Sequence, residues 1–254
     1  MKYIKMALMV LLVLGSFYFS DKLLLYVENL SPLMKEVKKY AEDDILPVNA
    51  VIEDNTIIPG KNGKEVNIRE SYLKMNEFGE FIKTFYVYDY IKPEISLNDN
   101  LDKVIIRGNS DDSLSIIVDN KRLEDYLLEN NIKFNKLIDN KDDIKNNNVE
   151  YINGGKDYKA FEELNLYFKR ENIVNKLCIV GYSSSKYCYE KKYLKVVPTM
   201  DVYASNLVSS LDLVGPGEIL FIHDNLSLSE GKILINKIRS KKLNIIYLSD
   251  LVSE

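Results

Sequence analysis

Histidine and tryptophan are almost missing from this chain of 254 residues, which holds one histidine, His223, and no tryptophan. Metal-dependent hydrolases usually hold their ion with two or more imidazoles. A single imidazole therefore excludes a three-histidine metal site within the chain.

Motifs of several common enzyme classes are missing as well. No Gly-x-Ser-x-Gly segment occurs, so the nucleophile of an α/β-hydrolase is not supported. Neither Gly-x-Gly-x-x-Gly nor Gly-x-x-x-x-Gly-Lys-Ser/Thr occurs, which argues against a glycine-rich phosphate loop. The net charge of -4 argues against a nucleic-acid partner, because such a partner needs a basic protein face.

The N-terminus carries an uncharged apolar run, residues 6–20, behind two lysines. A positive segment before an apolar run is typical of a secretion signal or an anchor, and positive charge stays inside. The run reaches Val27 if the two charged residues in between extend to the interface. Bulky Tyr18 stands where a cleavage site needs a small side chain. Residues 1–28 are therefore predicted to be an uncleaved membrane anchor, with a cleaved signal as the alternative.

Two cysteines, Cys178 and Cys188, flank a turn-rich segment, residues 181–185. In an oxidising compartment such a pair can close a loop as a disulfide. Two thiolates without a neighbouring histidine or a further cysteine do not supply four metal ligands. The spacing leaves two alternatives open, a disulfide and two unpaired semi-buried thiols.

Three regions are predicted behind the anchor. Residues 29–47 form a charged helical stalk, because apolar side chains recur at helical spacing up to a closing proline. Residues 48–109 hold short β-like runs, Pro-Gly and Asn-Gly turn signals and one helix over 71–81, which predicts a small α+β module. Residues 110–254 form an α/β domain.

Strand and helix patterns alternate throughout this last region. Such alternation predicts the α/β class, with a parallel sheet or barrel. The predicted strands are 115–118, 134–138, 177–180, 193–197, 218–222 and 244–248, and the predicted helices are 122–130, 158–171, 202–211 and 227–241. Ligands of these folds bind at the carboxyl ends of the strands, which is where His223 stands.

The C-terminal segment has a distinctive order of elements. A glycine-led strand over 217–222 ends in His223, a helix follows, and a last strand leads to Leu-Ser-Asp-Leu at 248–251. This order resembles the end of NodB-type polysaccharide deacetylases, carbohydrate esterase family 4, which close with Leu-x-His, a helix and Leu-Ser-Glu-Leu. Phe221 replaces the first Leu. The resemblance covers residues 114–254 and implies a distorted (β/α) barrel with its active site at the strand ends.

In that family an Asp and two His hold a divalent metal, which activates water against an acetamide on a sugar. An Asp is the base, and the histidine of Leu-x-His is the acid. By position, the resemblance implies Asp119 as a remnant base and His223 as a remnant acid. Asn120 stands where the family has its metal aspartate, and a neutral amide is a poor replacement. The family's His-x-x-x-His pair falls on residues 152–158, which hold no histidine.

Three hypotheses about function follow. The first is a membrane-anchored, extracytoplasmic polysaccharide-deacetylase-like pseudoenzyme that binds a cell-envelope glycan or partner at the former cleft. The second is a metal-dependent deacetylase of a cell-wall polysaccharide with an atypical site around Asp119, Asp157 and His223, since oxygen ligands suit hard ions. The third is a structural envelope protein whose residues 48–109 carry the interaction. A capped strand-end histidine and a turn aspartate are the structural alternative for His223 and Asp119.

Partners and cofactors are expected to follow from these hypotheses. The expected partner is a cell-wall or other envelope polysaccharide, or an envelope protein, and the N-terminal helix contacts the membrane. No cofactor is expected, except a divalent metal under the enzyme hypothesis. The predicted location is the cell membrane, with a single pass and the C-terminal part outside, or secretion if the signal is cleaved.

Overall fold

A computed structural model describes residues 2–41, 44–144, 148–173, 176–182, 184, 186–188 and 192–254. Within the predicted segments, residues 42–43 of the stalk and Ser183 and Ser185 in the turn between the cysteines lie outside the described residues. The chain forms two compact units. The N-terminal unit is Met1–Pro47 with Asn62–Ile91, and the α/β unit is Val48–Lys61 with Lys92–Glu254.

The elements are as follows in chain order. The α-helices are α1 Lys2–Leu30, α2 Pro32–Lys39, α3 Ile68–Asn76, α4 Lys121–Glu129, α5 Tyr158–Arg170, α6 Leu207–Leu213, α7 Leu228–Ser240 and α8 Leu248–Leu251. The strands are β1 Val51–Glu53, β2 Thr56–Ile58, β3 Gly63–Val66, β4 Tyr88–Ile91, β5 Val104–Ile105, β6 Ser113–Val118, β7 Asn135–Ile138, β8 Glu150–Asn153, β9 Leu177–Ile179, β10 Leu194–Val196, β11 Met200–Val202, β12 Ile219–Ile222 and β13 Asn244–Ile245.

The predicted stalk is a packed element of the N-terminal unit. Met34 and Val37 of α2 are buried in one cluster with Tyr72 and Met75 of α3. The hydroxyl of Tyr86 donates a hydrogen bond to the carbonyl of Val37 over 3.0 Å. The helical spacing that predicts α2 therefore reflects burial of one face against α3 rather than a free-standing rod.

The predicted module over 48–109 is divided between the two units. Residues 63–66 and 88–91 form the antiparallel hairpin β3–β4 of the N-terminal unit. By contrast, β1, β2 and β5 join a sheet of the α/β unit in the order β1-β2-β5-β10-β9. The division follows from pairing, because β2 lies parallel to β5 and β5 lies parallel to β10. A deletion of 48–109 would thus remove three strands of the α/β unit.

The α/β unit confirms the predicted class. Its second sheet has the order β11-β12-β6-β7-β8, with β13 also beside β6, and all these pairs are parallel. Inward-facing side chains of both sheets share one buried cluster, in which Ile117 and Phe221 meet Ile105, Ile179 and Val196. Apart from the antiparallel pair β1–β2, the strands of both sheets are parallel and pack around one core, an arrangement compatible with the implied barrel.

Helices cover the outer face of the second sheet. Leu123, Leu164 and Leu234, from α4, α5 and α7, lie in one cluster with Ile116 and Leu220 of the strands. Both faces of β6 and β12 are buried, as expected for central parallel strands. The helix predicted over 202–211 begins later than expected, because residues 200–202 are strand β11, paired with β12.

The cysteines are joined within the α/β unit. Cys178 and Cys188 form a disulfide with an S–S distance of 1.93 Å. Both are fully buried beside Phe161. The bond closes the loop that carries Tyr182, next to β9.

Within the described residues, one helix is long and apolar enough to cross a membrane. The segment Met9–Leu30 of α1 has a mean hydropathy of 1.6, and among its described residues only Glu28 is buried. These properties fit an anchor and a signal sequence alike.

Candidate functional site

Asp119 and His223 lie side by side at the carboxyl ends of β6 and β12. These strands are parallel neighbours, in which Val118 pairs with Ile222. One residue further, the backbone N–H of Asp119 donates to the carbonyl of Ile222 over 2.9 Å. The structure therefore brings the two predicted remnant positions together at one sheet edge.

Both positions continue the inward-facing side of their strands. Ile117 and Phe221 belong to the core between the sheets, and their neighbours face the helices. Because side chains alternate along a strand, Asp119 and His223 follow them on the inner face. The ring centroids of Phe221 and His223 lie 4.6 Å apart, consistent with this placement.

A carboxylate orients the imidazole. Oδ1 of Asp201, in β11, lies 2.8 Å from Nε2 of His223, so the two side chains form a hydrogen bond. The side chain of His223 is 19% exposed and that of Asp201 is 53% exposed, so the pair borders solvent. A carboxylate against one ring nitrogen holds the orientation of the ring, as an acid–base or ligand-binding imidazole requires.

Aromatic rings line the imidazole. The ring of Tyr203 stacks on His223 at a centroid distance of 4.0 Å and an angle of 11°. Tyr182, from the disulfide-closed loop, stacks on Phe221 at 5.1 Å and 23°. Stacked rings hold each other's orientation, and their exposed parts give the site a flat, partly apolar surface.

The site is rich in carboxylates. Partial burial raises the pKa of the Asp119 carboxyl above its ordinary value, and the nearby carboxylate of Asp224 raises that pKa further, whereas His223 lowers it. Burial also raises the pKa of Tyr182, with smaller contributions from Asp201 and Asp119. The phenol therefore stays neutral beside two negative side chains. We call Asp119, Asp201, Tyr203 and His223 the acid–base edge.

Asn120, to which the resemblance assigns the position of the metal aspartate, uses its whole side-chain amide within the fold. Its Oδ1 accepts a hydrogen bond from the N–H of Leu123, capping α4. Its Nδ2 donates to the carbonyls of Asp224 and Leu226, over 3.1 and 2.7 Å. A carboxylate could make the cap but could not donate, so this amide ties α4 to the loop after His223.

The segment to which the resemblance assigns the histidine pair is packed rather than open. After β8, Asn153 donates to the carbonyl of Phe161 and to Asn165 and accepts from the N–H of Gly155. A Cβ on Gly155 would lie 2.5 Å from the Phe161 nitrogen, and one on Gly154 would lie 2.7 Å from a Leu137 side-chain carbon. We call Asn153, Gly154 and Gly155 the glycine edge.

The residues present do not fit the family's metal. Asp157, proposed as a ligand in the enzyme hypothesis, caps α5 by accepting from the N–H of Ala160 over 2.8 Å. Across the described part of the chain, no group of three or more His, Cys, Asp or Glu is placed to hold an ion. The structure brings Asp119 and His223 together but does not bring Asp157 into a ligand group with them.

Three site residues escape the sequence analysis. Asp201 lies in the short strand β11, just before the segment predicted to be helical, and Tyr203 follows that strand inside the predicted segment. Their alternation, with Asp201 and Tyr203 two residues apart before a turn, is the signal that could have found them. Tyr182 lies outside any strand, and only the disulfide-closed loop places it near Phe221.

Comparisons with known proteins give one partial match in sequence and several matches in structure. No sequence-family model matches the chain. Over 82 residues the chain is 39% identical to the uncharacterized protein YlxY of Bacillus subtilis (strain 168). That match covers 32% of this chain and 26% of the relative, so it spans about a quarter of the relative's length.

Solved structures match most of the chain. BA3943, a CE4 family pseudoenzyme from Bacillus anthracis, is 19% identical and has a TM-score of 0.58, over 88% of this chain and 96% of that one. A BA3943 mutant, a CE4 family pseudoenzyme with restored enzymatic activity, is 17% identical with a TM-score of 0.55, over 88% and 99%. At these identities the likeness concerns the fold alone. The chain has a CE4-like fold, which confirms the resemblance inferred from its C-terminal segment.

Proposed function

We propose that this protein is a membrane-anchored, extracytoplasmic pseudoenzyme that binds a cell-envelope glycan at the acid–base edge without hydrolysing it. One observation carries the proposal. The acid–base edge is assembled and open to solvent, whereas the positions that would hold the metal are used for packing and loop bonding. A site that has aromatic side chains and an imidazole but no metal ion can bind a substrate-like molecule without activating it for hydrolysis.

The fold relatives support this proposal by analogy. BA3943 is described as a pseudoenzyme, and a mutant of it as having restored enzymatic activity. The same fold therefore exists in an inactive form that remains close to an active one. In our proposal the present chain is a second such case, further from activity because Asn120 and Gly155 serve the fold itself.

Membrane anchoring rests on the end of α1. Leu23, Leu24, Tyr26 and Val27 are exposed, and a cut after residue 20 would leave these apolar side chains in water. One residue on, Glu28 is buried and pairs with Arg69 of the N-terminal unit, with Oε2 3.1 Å from Nε. These features favour an uncleaved helix whose last turn belongs to the folded unit.

Catalysis is tested on the full chain in detergent or nanodiscs. The protein is loaded with zinc, cobalt or manganese, desalted and assayed for bound metal and for acetate release from N-acetylglucosamine oligomers. We expect neither a full metal equivalent nor acetate. Acetate release that disappears in both Asp119→Asn and His223→Ala would overturn the proposal in favour of an atypical deacetylase.

The location is tested in cells that express the full chain. Carbonate extraction should leave the protein in the membrane, and external protease should digest the C-terminal part in intact cells or protoplasts. Release of the protein into the medium with a new N-terminus would show a cleaved signal instead.

A further inference from the structure

Two carboxylates of the site lack partners. Among the described residues, neither Asp119 nor Asp224 has a side-chain hydrogen bond or ion pair, and both side chains are exposed. Asn120 holds the two together, because its side-chain amide donates to the backbone carbonyl of Asp224 while its neighbour Asp119 directly follows β6. The backbone thus keeps two unpaired negative groups close to His223.

These charges oppose each other. The pKa of Asp119 is raised first by partial burial and next by Asp224, so the pair costs electrostatic free energy when both groups are ionised. Lys136, a nearby cation, is already bonded to Glu124, with Nζ 2.7 Å from Oε2. A cation supplied by a ligand would relieve the repulsion, whereas a neutral acetamide would not.

The walls of the site suit an amine on a sugar. Tyr203 and Tyr182 present rings beside the carboxylates, and aromatic faces attract both the apolar face of a sugar and an ammonium group. Asp201 adds a third carboxylate, 53% exposed, next to His223. Charge-assisted bonds from an ammonium to carboxylates are stronger than neutral ones.

We propose that the acid–base edge, with Asp224, binds glycans carrying free primary ammonium groups, such as de-N-acetylated glucosamine units, in preference to N-acetylated ones. This inference rests on the proposed glycan-binding function and narrows its ligand class. The protein would then recognise the product of an amide-hydrolysing deacetylase rather than its substrate.

The test compares two oligosaccharides of equal length, glucosamine tetramer and N-acetylglucosamine tetramer, on the full chain in nanodiscs of neutral lipid. Titration calorimetry near pH 6.5 is expected to show the glucosamine tetramer binding about tenfold tighter or better, the effect of one charge-assisted contact. The double variant Asp119→Asn/Asp224→Asn should lose this preference, and Asp119→Glu/Asp224→Glu should keep most of it. Thermal unfolding of each variant establishes that it is folded.

Asp212→Asn is the matched control, since Asp212 is an exposed aspartate of α6 whose carbonyl binds Lys241 at the end of α7. It should leave both affinities unchanged. An equal effect of this control would mean unspecific attraction of a polycation and would overturn the inference. Equal or tighter binding of the N-acetylated tetramer would also overturn it, while leaving the glycan-binding function in place. Binding of neither tetramer would remove both proposals.

Discussion

The acid–base edge and the glycine edge lie at strand ends of the same sheet, yet they use their residues in opposite ways. At the acid–base edge, Asp201 and His223 face solvent and Asp119 has an unpaired carboxylate. At the glycine edge, Asn153 is buried with its amide fully bonded, and Gly155 lies against the backbone of α5.

The difference shows that polar residues at two strand ends of one sheet serve different purposes in this chain. The polar groups of one edge remain available to a ligand, and those of the other have become part of the packing. Histidines placed at the glycine edge would therefore oppose the packing of the fold. The comparison can be tested by substitutions that should matter for stability at one edge and for binding at the other.

The largest effect is expected for Gly155→Ala. The new Cβ would lie 2.5 Å from the Phe161 nitrogen and 2.6 Å from its Cα, so the backbone of α5 must shift. We expect a loss of about 3 kcal/mol in the free energy of unfolding, measured by urea denaturation. Gly215→Ala is the control, because the nearest atom to its Cβ is 3.8 Å away. Equal stability of the two variants would contradict the packed glycine edge.

A smaller loss, about 2 kcal/mol, is expected for Asn120→Asp. The carboxylate keeps the helix cap but leaves the carbonyls of Asp224 and Leu226 without a donor and places negative charge against them. Asp157→Asn is the control, because it exchanges a carboxylate and an amide at the N-cap of α5, where the side chain only accepts a hydrogen bond from the N–H of Ala160. It should change the free energy of unfolding by less than about 0.5 kcal/mol. A stable Asn120→Asp protein that also binds one equivalent of zinc would mean that the metal position is still usable.

A loss of about 1 kcal/mol or less is expected for His223→Ala, despite its central place in the acid–base edge. The imidazole contributes a solvent-bordering pair with Asp201 and one stacking contact with Tyr203. The affinity for the glycan should instead fall clearly, because the imidazole holds the ring of Tyr203 in place beside the site. A large loss of stability, with affinity per folded molecule unchanged, would assign His223 to a purely structural role.

The smallest effect concerns the pH dependence of Asp119. The pKa of this carboxyl is raised in the folded state. Its contribution to the stability of the fold is therefore fully present below pH about 3.9, the ordinary pKa of an aspartate, and is lost as the pH rises through the folded-state pKa. Asp119→Asn should therefore slightly raise the thermal midpoint at neutral pH, and the gain should vanish in acid. A lowered midpoint at pH 7 would show that Asp119 stabilises the fold.

Much of the α/β unit follows from local pattern, and the site follows from it only in part. The predicted helix over 158–171 matches α5 because Phe161, Leu164 and Phe168 lie on one buried face. Strand β8 escapes prediction because its four residues hold too few alternating positions for a pattern. Asp201 escapes because a three-residue strand is defined by its pairing with β12 rather than by its own residues.

The sequence by itself determined the α/β class, the family-like C-terminal segment, the lack of metal-binding histidines and the placement of Asp119 and His223 at strand ends. These depend on periodicity and residue type, which are local. Only the tertiary structure decided that Asn120 donates to the loop after His223, that Gly155 is pressed against α5 and that residues 48–109 belong to two units. Those facts depend on which distant segments meet, and contact between distant segments is set by packing of the whole chain.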